Sequence, residues 1–296
     1  MQLTDPKGRM HQIVLQPGAA FHTHRGALAH DDLIGAPEGS VVTATSGTQY
    51  VALRPLLADY TLAMKRGATI VYPKDAAQIL AYADIFPGAR VLEAGAGSGA
   101  LSCWLLRATG PDGVLVSFEA RAEFAEIARA NVRKYFGEVP PWWRLVTGEL
   151  SATVALESGG VTTGGPTSAA DDSPSAAGWF DRVILDMVDP WENVAGAAQA
   201  LIPGGLICCY VATTTQLSRI VEELRAHGGF FEPAPWETLY RAWHVDGLAV
   251  RPDHRMIGHT GFLVTARRLA AGVTVPPRRR RPAKGAHPGD AESAAE

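Results

Sequence analysis

Cysteine is scarce in this chain: Cys103, Cys208 and Cys209 are the only three among 296 residues. Three thiols cannot staple so long a polypeptide, which excludes a disulfide framework. Cys208 and Cys209 are adjacent within an apolar run, the pattern of buried thiols and not of a metal knuckle. Long hydrophobic runs are missing too. No apolar stretch reaches about 18 residues, so no membrane span is expected. The opening Met1-Gln2-Leu3-Thr4-Asp5-Pro6-Lys7 lacks the apolar segment of a secretory signal. Together these absences make a cytoplasmic protein the expectation. Charge is sparse as well, at 19% of residues, and the formal net charge is only −3. That argues against an all-over basic coat, although local patches set the field that steers a nucleic acid. Residues 1–66 carry +1, residues 67–275 carry −6 and residues 276–296 carry +2.

What the chain does hold is enough apolar residue, 47%, to bury a sizeable core. The first part reads as short strands (10–15, 40–44 and 48–53) separated by turn formers. A small all-β domain over residues 1–66 follows. From Pro73, which opens a helix over 73–84, the period changes. Strands over 90–94, 114–119, 144–147, 182–186 and 205–211 then alternate with helices over 98–109, 121–135, 191–202 and 214–227. Such alternation with near-continuous apolar strands predicts a parallel, doubly covered sheet over residues 67–275. Residues 236–243 and 260–267 read as an antiparallel edge hairpin. Residues 157–178, rich in Gly, Ser and Thr, read as a flexible insertion. Residues 276–296, with Arg278 to Arg281 in a row, read as a disordered basic tail.

The most informative stretch is Glu93-Ala94-Gly95-Ala96-Gly97-Ser98-Gly99-Ala100-Leu101, which follows a strand and opens a helix. Glycines let the backbone turn tightly against a ligand, and the helix N-terminus offers free N–H groups. Gly95-x-Gly97-x-x-Ala100 also satisfies the dinucleotide fingerprint, so NAD and S-adenosylmethionine compete for the loop. Glu119, ending the next strand, suits the ribose of either. Glu93 discriminates between them. A carboxylate there would repel a pyrophosphate and attract the ammonium or sulfonium of S-adenosylmethionine. Glu149 is a candidate acceptor for the adenine amino group or a solvated loop acid, and Phe124 packs on the adenine or fills core. Asp186-Met187-Val188-Asp189-Pro190-Trp191 follows the fourth strand, where ligands of open α/β sheets bind. A carboxylate, a stiffened turn and an indole together suit a nucleobase. Asp189 before Pro190 reads as a helix cap, which leaves Asp186 for chemistry. His22, His24 and His30 lack the spacing of a metal site, so no metal is expected.

The chain resembles the tRNA (adenine-58-N1)-methyltransferase family, in its actinobacterial-type form. The matching stretches are Phe21-His22-Thr23-His24-Arg25-Gly26, Tyr72-Pro73-Lys74-Asp75 and the glycine loop. They continue with Asp186-Met187, Pro190-Trp191, Thr215-Gln216-Leu217, Trp236-Glu237, Arg251-Pro252, Met256 and His259-Thr260-Gly261-Phe262-Leu263. The resemblance implies a class I methyltransferase sheet behind the small β domain. It also implies methylation of N1 of adenine-58 in the T-loop of tRNA by a homotetramer. Asp186 would orient the adenine amino group, and Ser98, Gly99, Ala100, Leu101, Glu119, Glu149 and Asp186 would line the cofactor pocket. Tyr72, Pro190, Trp191, His22, His24, Arg25 and His259 become candidate substrate contacts; for the His22–Arg25 group a subunit contact is the alternative. Glu149 stands where the family often has Asp. Three other readings compete with this one, among them a protein-carboxyl methyltransferase, which shares the loop but is not expected to carry Asp186-x-x-x-Pro190-Trp191. An NAD-dependent oxidoreductase lacks a visible hydride-transfer arrangement, and a non-catalytic tRNA-binding subunit sits poorly with an intact loop and Asp186.

Overall fold

The computed structural model describes residues 1–150 and 178–276. The expected insertion, apart from Gly178, and the basic tail, apart from Pro276, lie outside the described residues. The chain opens with β1 (Gln2–Thr4), β2 (Met10–Gln12), the hairpin of β3 (Ala20–Thr23) and β4 (Gly26–Ala29), β5 (Ser40–Thr43) and β6 (Gln49–Leu53). Four of these strands form an antiparallel sheet in the order β2-β1-β6-β5. Alternation along β6 turns Tyr50 and Ala52 inward, onto a small core with Leu3, Leu28, Leu33 and Val42. Helix α1 (Leu57–Ala63) has no counterpart in the sequence reading. Its Leu57 and Tyr60, with Met64 beyond it, recur at helical spacing and pack with Ile70, Ala100 and Ala128. The core of the second unit therefore begins before residue 66.

Helix α2 (Pro73–Tyr82) is opened by Pro73, whose missing N–H costs nothing at that position. Then come β7 (Arg90–Ala94), α3 (Ala100–Thr109), β8 (Val114–Glu119), α4 (Ala122–Phe136), β9 (Trp143–Thr147), β10 (Phe180–Asp186), α5 (Val194–Ala200), β11 (Leu201–Val211) and α6 (Thr214–His227). The chain closes with β12 (Ala234–Trp236), β13 (Trp243–Asp246), β14 (Ala249–Pro252) and β15 (Phe262–Arg267). The seven-stranded sheet runs β12-β15-β11-β10-β7-β8-β9. Strands β9, β8, β7, β10 and β11 are parallel, and β15 is antiparallel to both of its neighbours. Period-2 alternation splits the buried residues between two faces. Val91, Ile184 and Cys208 join the core beside α2 and α3, while Leu92, Leu185 and Cys209 join the core beside α5 and α6. All three thiols are buried and unpaired.

Two of the departures from the expected boundaries reshape the sheet. The helix expected over 191–202 is a tight 3-10 turn at Pro190–Asn193 followed by α5, and β11 begins at Leu201. Pro203 and Gly204 coincide with a register irregularity opposite Phe180–Arg182, so the strand starts bent. The edge strand expected over 236–243 is only β12. Trp243 instead begins a separate exposed hairpin, β13 paired with β14, inserted between β12 and β15.

Candidate active site

Connections from β7 run to β8 on one side, and the chain crosses back to β10 on the other. This reversal places a crevice beyond the carboxyl ends of β7 and β10, where open α/β sheets bind ligands. Three carboxylates converge there: Glu93 on β7, Glu119 ending β8 and Asp186 ending β10. Glu93 is fully buried on the α3 side. Its Oε2 accepts hydrogen bonds from Ser102 at 2.6 Å and Ser117 at 2.5 Å, while its Oε1 has no partner. The Trp143 indole donates to the Ser117 hydroxyl at 2.9 Å, so the serine is itself held. Glu119 accepts from the Gly97 N–H at 2.8 Å and the Arg121 N–H at 3.1 Å. Asp186 is half-buried, and its carbonyl accepts from the Gly95 N–H at 3.1 Å, tying the glycine loop to β10.

Burial pushes Glu93 up to about 7, with its two serine hydrogen bonds opposing and the charge of Glu119 adding to the rise. Desolvation, then the charges of Glu93 and Glu119, push Asp186 up to about 7 as well. Arg121 reaches Glu119 at 3.4 Å, but neither Glu93 nor Asp186 has an ion-pair partner among the described residues. Crowded acids of this kind are stabilised by a cation and destabilised by an anion. A cavity of about 900 Å³ opens beside them, within the range of small-molecule sites.

Of the residues proposed from sequence, Gly95, Gly97, Glu119, Glu149 and Asp186 line this cavity. Gly95 lies close under Glu119: a Cβ there would sit 3.3 Å from Oε2. Glu93 lies beneath the wall and does not line it. Ser98 turns away, its hydroxyl accepting from the N–H groups of Gly67 and Ala68 at 3.0 and 3.2 Å. Gly99 holds a left-handed φ of 77°, and a Cβ would come within 3.0 Å of Ala128 on α4. It serves close helix packing, and Ala100 and Leu101 pack into the same core. Phe124 lies outside the cavity under the Arg121 guanidinium, 3.7 Å from its ring. Ser98, Gly99, Ala100, Leu101 and Phe124 thus support the loop instead of lining the pocket: Ser98 holds residues 67 and 68, Gly99, Ala100 and Leu101 serve the packing of α3, and Phe124 lies against Arg121.

The reaction loop also departs from expectation. Asp189 precedes the 3-10 turn, but its side chain makes no capping bond and is exposed to the cavity. Pro190 and Trp191 are buried, and Arg219 covers the Trp191 ring at 4.0 Å. The indole is core, not a free stacking surface. Tyr72 is half-buried at the start of α2, outside the cavity lining. His22 and His24 are exposed on the β3–β4 hairpin, where Arg25 donates to His24 at 3.3 Å and lies 3.7 Å from Asp5. His259 contacts the Ala212 carbonyl at 2.8 Å and Glu237 at 3.0 Å, and these acceptors raise its pKa. Next to it, the Thr260 hydroxyl donates to the fully buried Asp75, and Lys74 donates to Asp75 at 2.7 Å and to the Thr238 carbonyl at 2.6 Å. The two distant stretches containing Lys74-Asp75 and His259-Thr260 are therefore one contact. Sequence reasoning missed Thr69, Tyr210 and Ala212 and gave no individual role to Met187, Val188 and Gln216; all six line the cavity. Position supplied a signal for some of them, since Tyr210 and Ala212 stand at the carboxyl end of β11.

Sheet order, antiparallel β15, the glycine turn and the acidic strand ends define a class I methyltransferase. A model described as tRNA methyltransferase complex GCD14 subunit matches residues 50–249, and one described as TrmI-like N-terminal matches residues 1–42. The chain belongs to the tRNA (adenine-58-N1)-methyltransferase family. It is 35% identical over 269 residues to tRNA (adenine(58)-N(1))-methyltransferase TrmI of Thermus thermophilus, covering 91% of this chain and 96% of that one. It is 30% identical over 274 residues to the tRNA (adenine(57)-N(1)/adenine(58)-N(1))-methyltransferase of Methanocaldococcus jannaschii, covering 90% and 93%. Among solved structures, a SAM-dependent O-methyltransferase from Thermotoga maritima superposes with a TM-score of 0.77 at 26% identity, covering 95% and 94%. The tRNA (m1A58) methyltransferase TrmI of Aquifex aeolicus shares the fold with a TM-score of 0.72 at 24% identity, covering 91% and 96%.

Proposed function

We propose that the protein transfers a methyl group from S-adenosylmethionine to N1 of adenine-58 in the T-loop of tRNA. The observation that carries this reading is the group of three carboxylates beside the glycine loop, in a chain whose relatives bear that activity over nearly their whole length. The site fits the cofactor chemically. Asp186, raised by burial and then by its acidic neighbours, lines the cavity, and Glu93 behind the wall adds negative charge, a setting complementary to a ligand bearing an ammonium and a sulfonium. When bound, S-adenosylmethionine supplies an electrophilic methyl group. Gly95 and Gly97 give it a close backbone approach, Glu119 is placed for the ribose hydroxyls, and Glu149 for the adenine amino group.

Adenine N1 has a lone pair, so the chain need not provide a nucleophile. Asp186 accepts from the exocyclic amine of the target base and holds N1 in line for attack. Because the methylated base becomes cationic, that carboxylate interaction strengthens as the transition state forms. The base must leave its stack to reach the cavity. His22, His24 and Arg25 on the exposed hairpin are placed to meet tRNA phosphate. The same reading makes the protein a cytoplasmic homotetramer. Supporting assembly, the β13–β14 hairpin exposes Trp243, Val245, Leu248 and Val250, an apolar set that a lone monomer rarely leaves uncovered. Size-exclusion chromatography with light scattering measures the assembly.

The deciding experiment incubates the protein with labelled S-adenosylmethionine and unmodified tRNA, then maps the product base. Label at adenine-58, abolished when that base is replaced by guanine, is expected. Label elsewhere, or none, refutes the proposal.

A further inference from the structure

Gln216 is the third residue of α6, and its side chain touches two of the loops that line the cavity. Its Oε1 accepts from the N–H groups of Ala212 and Thr213, each at 3.1 Å, and from the Thr213 hydroxyl at 3.1 Å. In return the Thr213 hydroxyl accepts from the Gln216 N–H at 3.2 Å, completing a capping box. On its other side, Nε2 donates to the Val188 carbonyl at 2.9 Å. Backbone donors on one side and a backbone carbonyl on the other fix which end of the amide is which. A capping box needs only an acceptor at this position and takes Glu as readily as Gln. The bond to Val188 needs a donor. Only an amide supplies both.

We infer that Gln216 is a positioning residue for the reaction loop, anchoring Val188, and through it Asp186 two residues earlier, to the β11–α6 turn. The sheet holds Asp186 in register with Tyr210, but beyond it the chain leaves the sheet. Val188 is 74% exposed, so little apolar packing restrains the loop at this point. The turn that provides the anchor is itself clamped, since His259 contacts the Ala212 carbonyl from the β15 side. A carboxylate that must meet a base at a defined angle therefore ends a strand, and Gln216 fixes the exposed residue two positions beyond it.

The catalytic part of this inference rests on the assignment of Asp186 to the adenine, and the test separates the two. Gln216→Glu keeps the cap acceptor and removes the donor to Val188; Thr213→Ala removes the cap hydroxyl and leaves the bridge. Each variant is compared with the wild-type protein for thermal midpoint, for kcat and KM on tRNA, and for amide hydrogen exchange over residues 187–193 without cofactor. Gln216→Glu is expected to melt with the wild type, to lose roughly tenfold in kcat with little change in the KM for tRNA, and to exchange severalfold faster in that segment. Thr213→Ala is expected to melt lower while keeping wild-type kcat and wild-type exchange there. Wild-type kcat and exchange in Gln216→Glu, or an equal loss in Thr213→Ala, overturns the inference. Faster exchange in Gln216→Glu, with a wild-type protein that methylates no tRNA, refutes the functional reading and leaves the anchor standing.

Discussion

Cofactor affinity is expected to depend steeply on pH, because the acids at and just behind the wall of its site are themselves close to losing their protons at neutrality. Glu93 and Asp186 are each pushed up to about 7, by burial and by the acidic neighbours they share. A cation binds the ionised forms, so below about pH 7 each carboxylate that must ionise costs roughly a factor of ten per pH unit. Between about pH 8 and about pH 6 the association constant is expected to fall roughly tenfold if one proton is linked and roughly a hundredfold if both are. Calorimetric titration of S-adenosylmethionine in buffers of different ionisation enthalpy reads the proton count directly. At the acid end the expected release lies between one and two protons, declining to none at the alkaline end. Replacing Glu93 by Gln removes one linked proton and flattens the profile. Folding stability without cofactor moves in the opposite direction. A carboxylate whose folded pKa is raised favours the folded state while protonated, so that advantage is lost as pH rises from the ordinary carboxylate range through about 7. Dissociation constants constant within about twofold over this range, with heats independent of buffer, would refute the argument.

Two further substitutions test the site and its frame. Asp186→Ala should still bind S-adenosylmethionine but lose roughly a hundredfold to a thousandfold in turnover, the scale of removing one transition-state contact; near-normal single-turnover methylation of tRNA would contradict the role given to Asp186. Asp75→Ala strands Lys74, whose side chain is 6% exposed, without its carboxylate. That loss is worth about 3–5 kcal/mol, or a fall of about 10 °C in melting temperature, and a shift of only a degree or two would show the pair to be incidental.

Much of this site was legible in the residue order. Strand alternation located β7, β8 and β10, and the acids at their ends followed from where the apolar runs stopped. Depth was not legible. Glu93 and Glu119 occupy similar positions on adjacent strands, yet one is sealed beneath the loop by Ser102 and Ser117 while the other reaches the cavity. That difference depends on α3 and on a neighbouring strand, not on local sequence. Trp191 in a nucleobase-like loop read as a stacking surface, whereas its burial and Arg219, on a separate helix, make it core. The missed helix α1 was legible in principle through Leu57, Tyr60 and Met64, but the preceding run of short strands favoured reading more of the same. Gln216 carried its signal in the Thr213-x-x-Gln216 spacing of a capping box. The second half of its role, the carbonyl of Val188, lies 28 residues upstream.

The hydroxyl of Ser98 gives the glycine turn a second set of attachments. Besides accepting from Gly67 and Ala68, it donates to the Ala68 carbonyl at 3.2 Å, while Asn131 donates to the carbonyls of both Lys65 and Ser98 at 2.8 Å. The stretch joining the small β sheet to the large one is thus stitched to the very turn that approaches the cofactor, and α1 is sunk into the same core. The segment that leaves the β module is consequently part of the frame of the glycine turn. Whatever displaces residues 65–68 also displaces the glycine turn, so the exit from the β module and the floor of the cofactor pocket share one mechanical element.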